Sequence, residues 1–162
     1  MRTQMKSTSD KKSPSVLRLL AVAAVTWVVG RYLLRPMVVD GESMEPTYAS
    51  HGFNFCRMHA FSSRLPRRGE VVIMRYGGER WLLLKRAIAF EGETVSFVDG
   101  KCVVDGKALD EPYVKKSCDW NEAPHVVSPG HIYVMGDNRS VPRENHVGGE
   151  MSLSRLLGKP LW

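Results

Sequence analysis

Residues 16–34, VLRLLAVAAVTWVVGRYLL, are the one long apolar stretch in the chain. As a helix this stretch would run roughly 28 Å, close to the hydrocarbon thickness of a bilayer. Arg18 and Arg31 lie near its ends, where long cationic side chains reach the headgroups. A buried helix would have to find partners for both arginines. A cleaved leader would need its small-x-small site, here Ala21-Val22-Ala23, after the apolar run, and this one comes too early. The reading is therefore a single membrane anchor. It divides the chain into a polar, basic, cytoplasmic tail over 1–15, a transmembrane helix over 16–34 and a body over 37–162.

Charge follows the same division. The formal net charge is +6; residues 1–35 carry seven Lys or Arg and one Asp, and the other 16 basic and 16 acidic residues cancel. The basicity belongs to the anchor region and not to the body, which excludes a nucleic-acid-binding face and places the N-terminus in the cytoplasm. Three widely spaced cysteines make no disulfide framework, and Cys56 with His59 lacks a second pair to complete a metal site.

The body reads as mainly β. Short runs at 53–55, 70–74, 81–88, 94–98, 102–104 and 131–135 alternate with Gly and Pro turns, and Asp99-Gly100 is a hairpin signal. Only 154–158 reads as a short helical turn.

Two stretches carry chemistry. In Gly41-Glu42-Ser43-Met44-Glu45-Pro46-Thr47, Gly41 admits a positive-φ turn and Pro46 keeps Glu45 out of helix. Ser43 is either a nucleophile on a constrained turn or ordinary loop punctuation. In 81–89, Lys85 and Arg86 interrupt an apolar strand and point to opposite faces. Lys85, between Leu83 and Ala87 on its face, is either a desolvated amine able to act as a general base or an edge lysine reaching water. Together Ser43 and Lys85 make a hydrolytic dyad, with the Ser43 N–H, and Gly41 through its backbone or a water, serving an oxyanion. A Ser-His-Asp triad is the competing chemistry, but none of the five histidines sits in a triad signature.

In order along the chain, these residues resemble the type I signal peptidases, membrane-bound Ser/Lys proteases. The resemblance runs through 39–47, Arg68-Gly69-Glu70-Val71-Val72, 84–89 with 91–95, 104–107 with Asp110-Glu111-Pro112-Tyr113, and 133–139. It implies a compact signal-peptidase-like β-domain, with Ser43 as nucleophile and Lys85 as base. Met44, Pro46, Arg86, Gly136, Asp137, Asn138, Ser140 and Glu144 would be structural near the site. It implies removal of signal peptides from exported preproteins, after small residues, on the outer face of a bacterial plasma membrane. No metal, organic cofactor or nucleic acid is expected; the partners are signal peptides and the lipid bilayer.

The segment 140–149 departs from the family pattern. Pro142 stands where a serine bracing the lysine is expected, and Glu144, Asn145 and His146 replace Asp, Ser and Arg. A shifted Ser140 would be the substitute brace, and Glu144 would pair with Arg86 or Arg143. The alternatives are a catalytically weak or inactive membrane-tethered peptide-binding member of the same fold and a protease dedicated to one substrate.

Overall fold

The structure, a computed structural model, describes residues 15–77 and 81–162. All but the last residue of the expected basic tail lies outside them. Helix α1 (Val16–Val28) passes directly into a π-helical turn, Val29–Leu33. None of its side chains is buried, and the 18 residues are long and apolar enough to cross a membrane. Leu34, expected at the end of the helix, instead opens strand β1 (Leu34–Val38). Pro36 has no N–H for a ladder, and β1 is an edge strand.

Ten more strands follow: β2 (Phe53–Met58), β3 (Val71–Tyr76), β4 (Trp81–Phe90), β5 (Thr94–Val98), β6 (Lys101–Val104), β7 (Lys107–Ala108), β8 (Glu122–Val126), β9 (His131–Met135), β10 (Gly149–Ser152) and β11 (Leu156–Pro160). The mainly-β expectation holds. One antiparallel sheet is ordered β1-β2-β11-β3-β4-β9-β10, and a second β7-β6-β5-β8. Asp99 and Gly100, at φ 48° and 74°, make the tight turn that joins β5 to β6. The helical turn expected over 154–158 is a 3₁₀ turn at Leu153–Arg155 only; β11 takes the rest, because its backbone is needed to fill the gap between β2 and β3.

Strand β4 is central. It is buried from Leu84 to Ala89, on both faces. Leu84 packs with Val39, Met44, Cys56, Ile73 and Leu157 on one side, and Ala87 with Val72, Met74, Ile132, Val134 and Met151 in another cluster. A third cluster joins the sheets, where Ile88 and Ala89 meet Phe97, Trp120 and Met135. Lys85 and Arg86 are thus carried into the interior by the strand that the core holds most firmly.

Candidate active site

Ser43 sits on the loop between β1 and β2. Gly41 takes φ +92°, where a β-carbon would be strained. Met44, 1% exposed, pins the loop into the core beneath it. The Glu45–Pro46 peptide is cis, and Pro46 itself is exposed.

The loop is also held from outside by residues after β9. The Asn138 N–H donates to the Ser43 carbonyl at 3.0 Å, and the Asn138 side chain donates to the Glu42 carbonyl at 3.1 Å. The Thr47 hydroxyl donates to Asp137 at 2.5 Å. A chain segment more than ninety positions downstream therefore fixes the backbone on which Ser43 stands.

Lys85 is 1% exposed, and its Nζ donates to Ser43 Oγ at 2.5 Å. Burial lowers its pKa from 10.5 to about 8, against the opposing pull of Asp137. Arg86, the next residue, points the other way, as strand alternation requires. Its Nε and Nη2 grip Asp137 at 2.7 and 2.5 Å, and its Nη1 donates to the Gly69 carbonyl. The guanidinium lies 3.8 Å from the centre of the Tyr113 ring. Arg139, also buried, pairs with Glu111, which accepts the Tyr113 hydroxyl. One strand thus delivers a desolvated amine to the serine and a permanent cation to the aspartate that braces the serine's loop.

Structure and expectation part at 140–146. Ser140 does not reach Lys85: its hydroxyl donates to Asn138 Oδ1 at 2.7 Å. Glu144 is exposed and pairs with neither arginine. Asp137 already holds Arg86, and Glu122 holds Arg143. His146, marked in the sequence only as replacing an arginine, enters the site in a role not foreseen. It is buried, its Nε2 accepts the Gly136 N–H at 2.9 Å, and it packs edge-on against Trp120. Burial, with the cations Lys85, Arg139 and Arg143 nearby, lowers its pKa to about 3, so it is a neutral acceptor. It bonds Gly136 and not Ser43, so no triad forms there. The sequence marked His146 only as a departure from the family pattern and gave no sign of its bond to Gly136; Thr47 and Tyr113 lay inside the family motifs but carried no signal of their contacts.

Beside Ser43 lies a small cavity of about 50 Å³, walled by Met37, Val39, Met44, Leu82 and Leu84. Of the other apolar side chains near the serine in sequence, Met58 and Phe61 pack on the core, while Phe53 is exposed. Among the described residues no cluster of His, Cys, Asp or Glu could hold a metal ion.

The family model for signal peptidases, peptidase S26, matches residues 13–160. The chain is 33% identical to a signal peptidase I of Bacillus amyloliquefaciens, over 89% of this chain and 86% of that one. It is 24% identical to signal peptidase IB of Staphylococcus aureus, over 89% and 84%. A crystal structure of a signal peptidase I from Enterococcus faecalis V583 covers 59% of this chain and 97% of its own, at 22% identity and a TM-score of 0.49. With the family model spanning nearly the whole chain and a relative at one-third identity, the protein belongs to the signal peptidase family of serine peptidases, peptidase S26.

Proposed function

We propose that this protein is a membrane-anchored endopeptidase that removes signal peptides from exported preproteins, cleaving after small residues, with Ser43 as nucleophile and Lys85 as general base. The observation that carries the reading is the 2.5 Å contact between Ser43 Oγ and a lysine amine that is 1% exposed. Ser43 Oγ attacks the scissile carbonyl as Lys85 Nζ takes its proton, and the Ser43 N–H faces the developing oxyanion. Collapse breaks the C–N bond, and Lys85 returns the proton to the leaving amine. Water, deprotonated by the same amine, then releases the acyl group. The 50 Å³ cavity suits a small side chain next to the cleaved bond. Gly41, open and at positive φ, leaves room for an extended peptide to approach.

Val16–Leu33 serves as the anchor. It is apolar with no buried side chain, a surface that lipid and not water accommodates. The basic residues before it keep the N-terminus cytoplasmic and the body over 37–162 outside, and the bacterial relatives favour the plasma membrane. Signal peptides and the bilayer are the partners; nucleic acid is not.

The test is processing of a preprotein with a small-x-small site by the full chain in detergent micelles. Ser43→Ala and Lys85→Ala should each abolish cleavage without changing the circular dichroism. Full cleavage by Ser43→Ala would remove the serine from the mechanism. One observation favours a peptide-holding protein instead: Ser140, the expected brace for Lys85, is bonded to Asn138. Binding of the preprotein without turnover by the intact chain would select that reading.

A further inference from the structure

On the outer face of the larger sheet, Leu34, Arg57 and Lys159 stand side by side on β1, β2 and β11. Leu34 is the register partner of Arg57, and Arg57 of Lys159. Directly opposed like charges on one face repel. The ion pairs among the described residues neutralise neither cation. Glu70 feels Lys159 but is held at both oxygens by Arg64.

Arg57 borders an open cavity of about 470 Å³ whose apolar walls are Val29, Leu33, Leu34, Met58 and Leu161. Val29 and Leu33 belong to the last turn of the apolar helix. The cavity therefore opens where a membrane-crossing helix leaves the hydrocarbon, at the level of lipid phosphates. Trp27 and Tyr32, both exposed near the same helix end, are the aromatic residues expected at that level.

We propose that Arg57 and Lys159 bind the phosphodiester of an anionic diacyl phospholipid, with one acyl chain lying along the cavity wall. The negative charge relieves the repulsion between the two cations, and the guanidinium can take two phosphate oxygens at once. The apolar walls cover hydrocarbon that would otherwise face the headgroup layer. A zwitterionic lipid brings its own cation and relieves less of the repulsion. The inference rests on the anchoring reading, since the helix sets the depth of the cavity.

The probe is phosphatidylglycerol against phosphatidylcholine of the same acyl chains, titrated into the full chain in detergent and followed by native mass spectrometry. Wild type should retain phosphatidylglycerol preferentially. Arg57→Gln with Lys159→Gln should weaken phosphatidylglycerol retention by about thirty-fold, the usual worth of two basic side chains near an anionic surface, and leave phosphatidylcholine unchanged. Lys101→Gln with Lys107→Gln removes two cations from the smaller sheet and should leave the preference intact. Equal retention of both lipids, or a preference that survives the Arg57/Lys159 variant, would overturn the site. So would its loss in the Lys101/Lys107 variant, which would mean bulk charge. Competition by glycerol phosphate at concentrations matching phosphatidylglycerol would mean a free anion and overturn the lipid assignment. The anchor reads out separately. A chain recovered from water without detergent refutes anchoring and this site together; lost selectivity in a chain that still enters bilayers refutes the site alone.

Discussion

Gly136 packs against the Ser43 carbonyl so closely that a β-carbon built on it would stand 2.2 Å from that oxygen and 3.0 Å from the His146 ring. The glycine cannot retreat, because its N–H is bonded to His146. Gly136→Ala should therefore push the Ser43 backbone off Lys85. A displacement of this kind costs about a hundredfold in rate, and the overpacking about 1–3 kcal/mol in stability. Preprotein cleavage and urea unfolding measure the two; a wild-type rate would show that the serine is not positioned from this side.

Under the proposed mechanism the amine of Lys85 sets the pH dependence. With its pKa lowered to about 8 by burial, only the neutral form can accept the serine proton. Cleavage should rise about tenfold per pH unit below that value and level off above it.

Stability carries the same signature. Between about 8 and 10.5 the unfolded chain holds a proton on Lys85 that the folded chain lacks, so this residue's contribution to stability rises with pH across that window. Below it, both states are protonated and the cost of burying the ammonium is constant. The stability advantage of Lys85→Met over wild type should shrink by about 3 kcal/mol from about pH 7 to about pH 11. A difference that stays flat across this range in chemical denaturation would mean that the amine is wet.

Asp137 is the charge shared by both halves of the site. Asp137→Asn leaves the Arg86 guanidinium buried without its anion, which costs about 3–5 kcal/mol. It also removes the carboxylate that favours the protonated form of Lys85. In whatever protein remains folded, the acid limb of the cleavage profile should move to lower pH. A limb that stayed where it is in the wild type would show that Lys85 does not sense Asp137.

Much of this was legible in advance. Gly41, Pro46 and the lone lysine inside an apolar strand are local signals, and local signals survive in sequence. The Asp99-Gly100 turn and β9 appeared where expected for the same reason. Strand β11 did not, because its pairing with β2 and β3 is decided a hundred residues away from one of them. The pairing of Glu144 also failed: Glu122 on β8 and Asp137 had taken both arginines, and sequence spacing says nothing about which acid arrives first.

His146 is the clearest such case and gives a further prediction. Its pKa, lowered from 6.5 to about 3 by burial and then by Lys85 and the two arginines, means that the unfolded chain binds the extra proton between those values. Stability from this residue is present above about 6.5 and is lost as pH falls toward 3. His146→Gln, which can still accept from Gly136, should flatten that acid loss, measured by thermal melts across the range. An unchanged acid slope would assign the loss to other groups.

Strand β11 has a consequence for timing. It is inserted between β2 and β3, which do not touch each other in the sheet. Until residues 156–160 arrive, the hairpin of β1 and β2 that carries the serine has no ladder joining it to the strand that carries the amine. A chain still emerging during synthesis therefore lacks that ladder, and the sheet between the serine's hairpin and the lysine's strand closes only once residues 156–160 have been made.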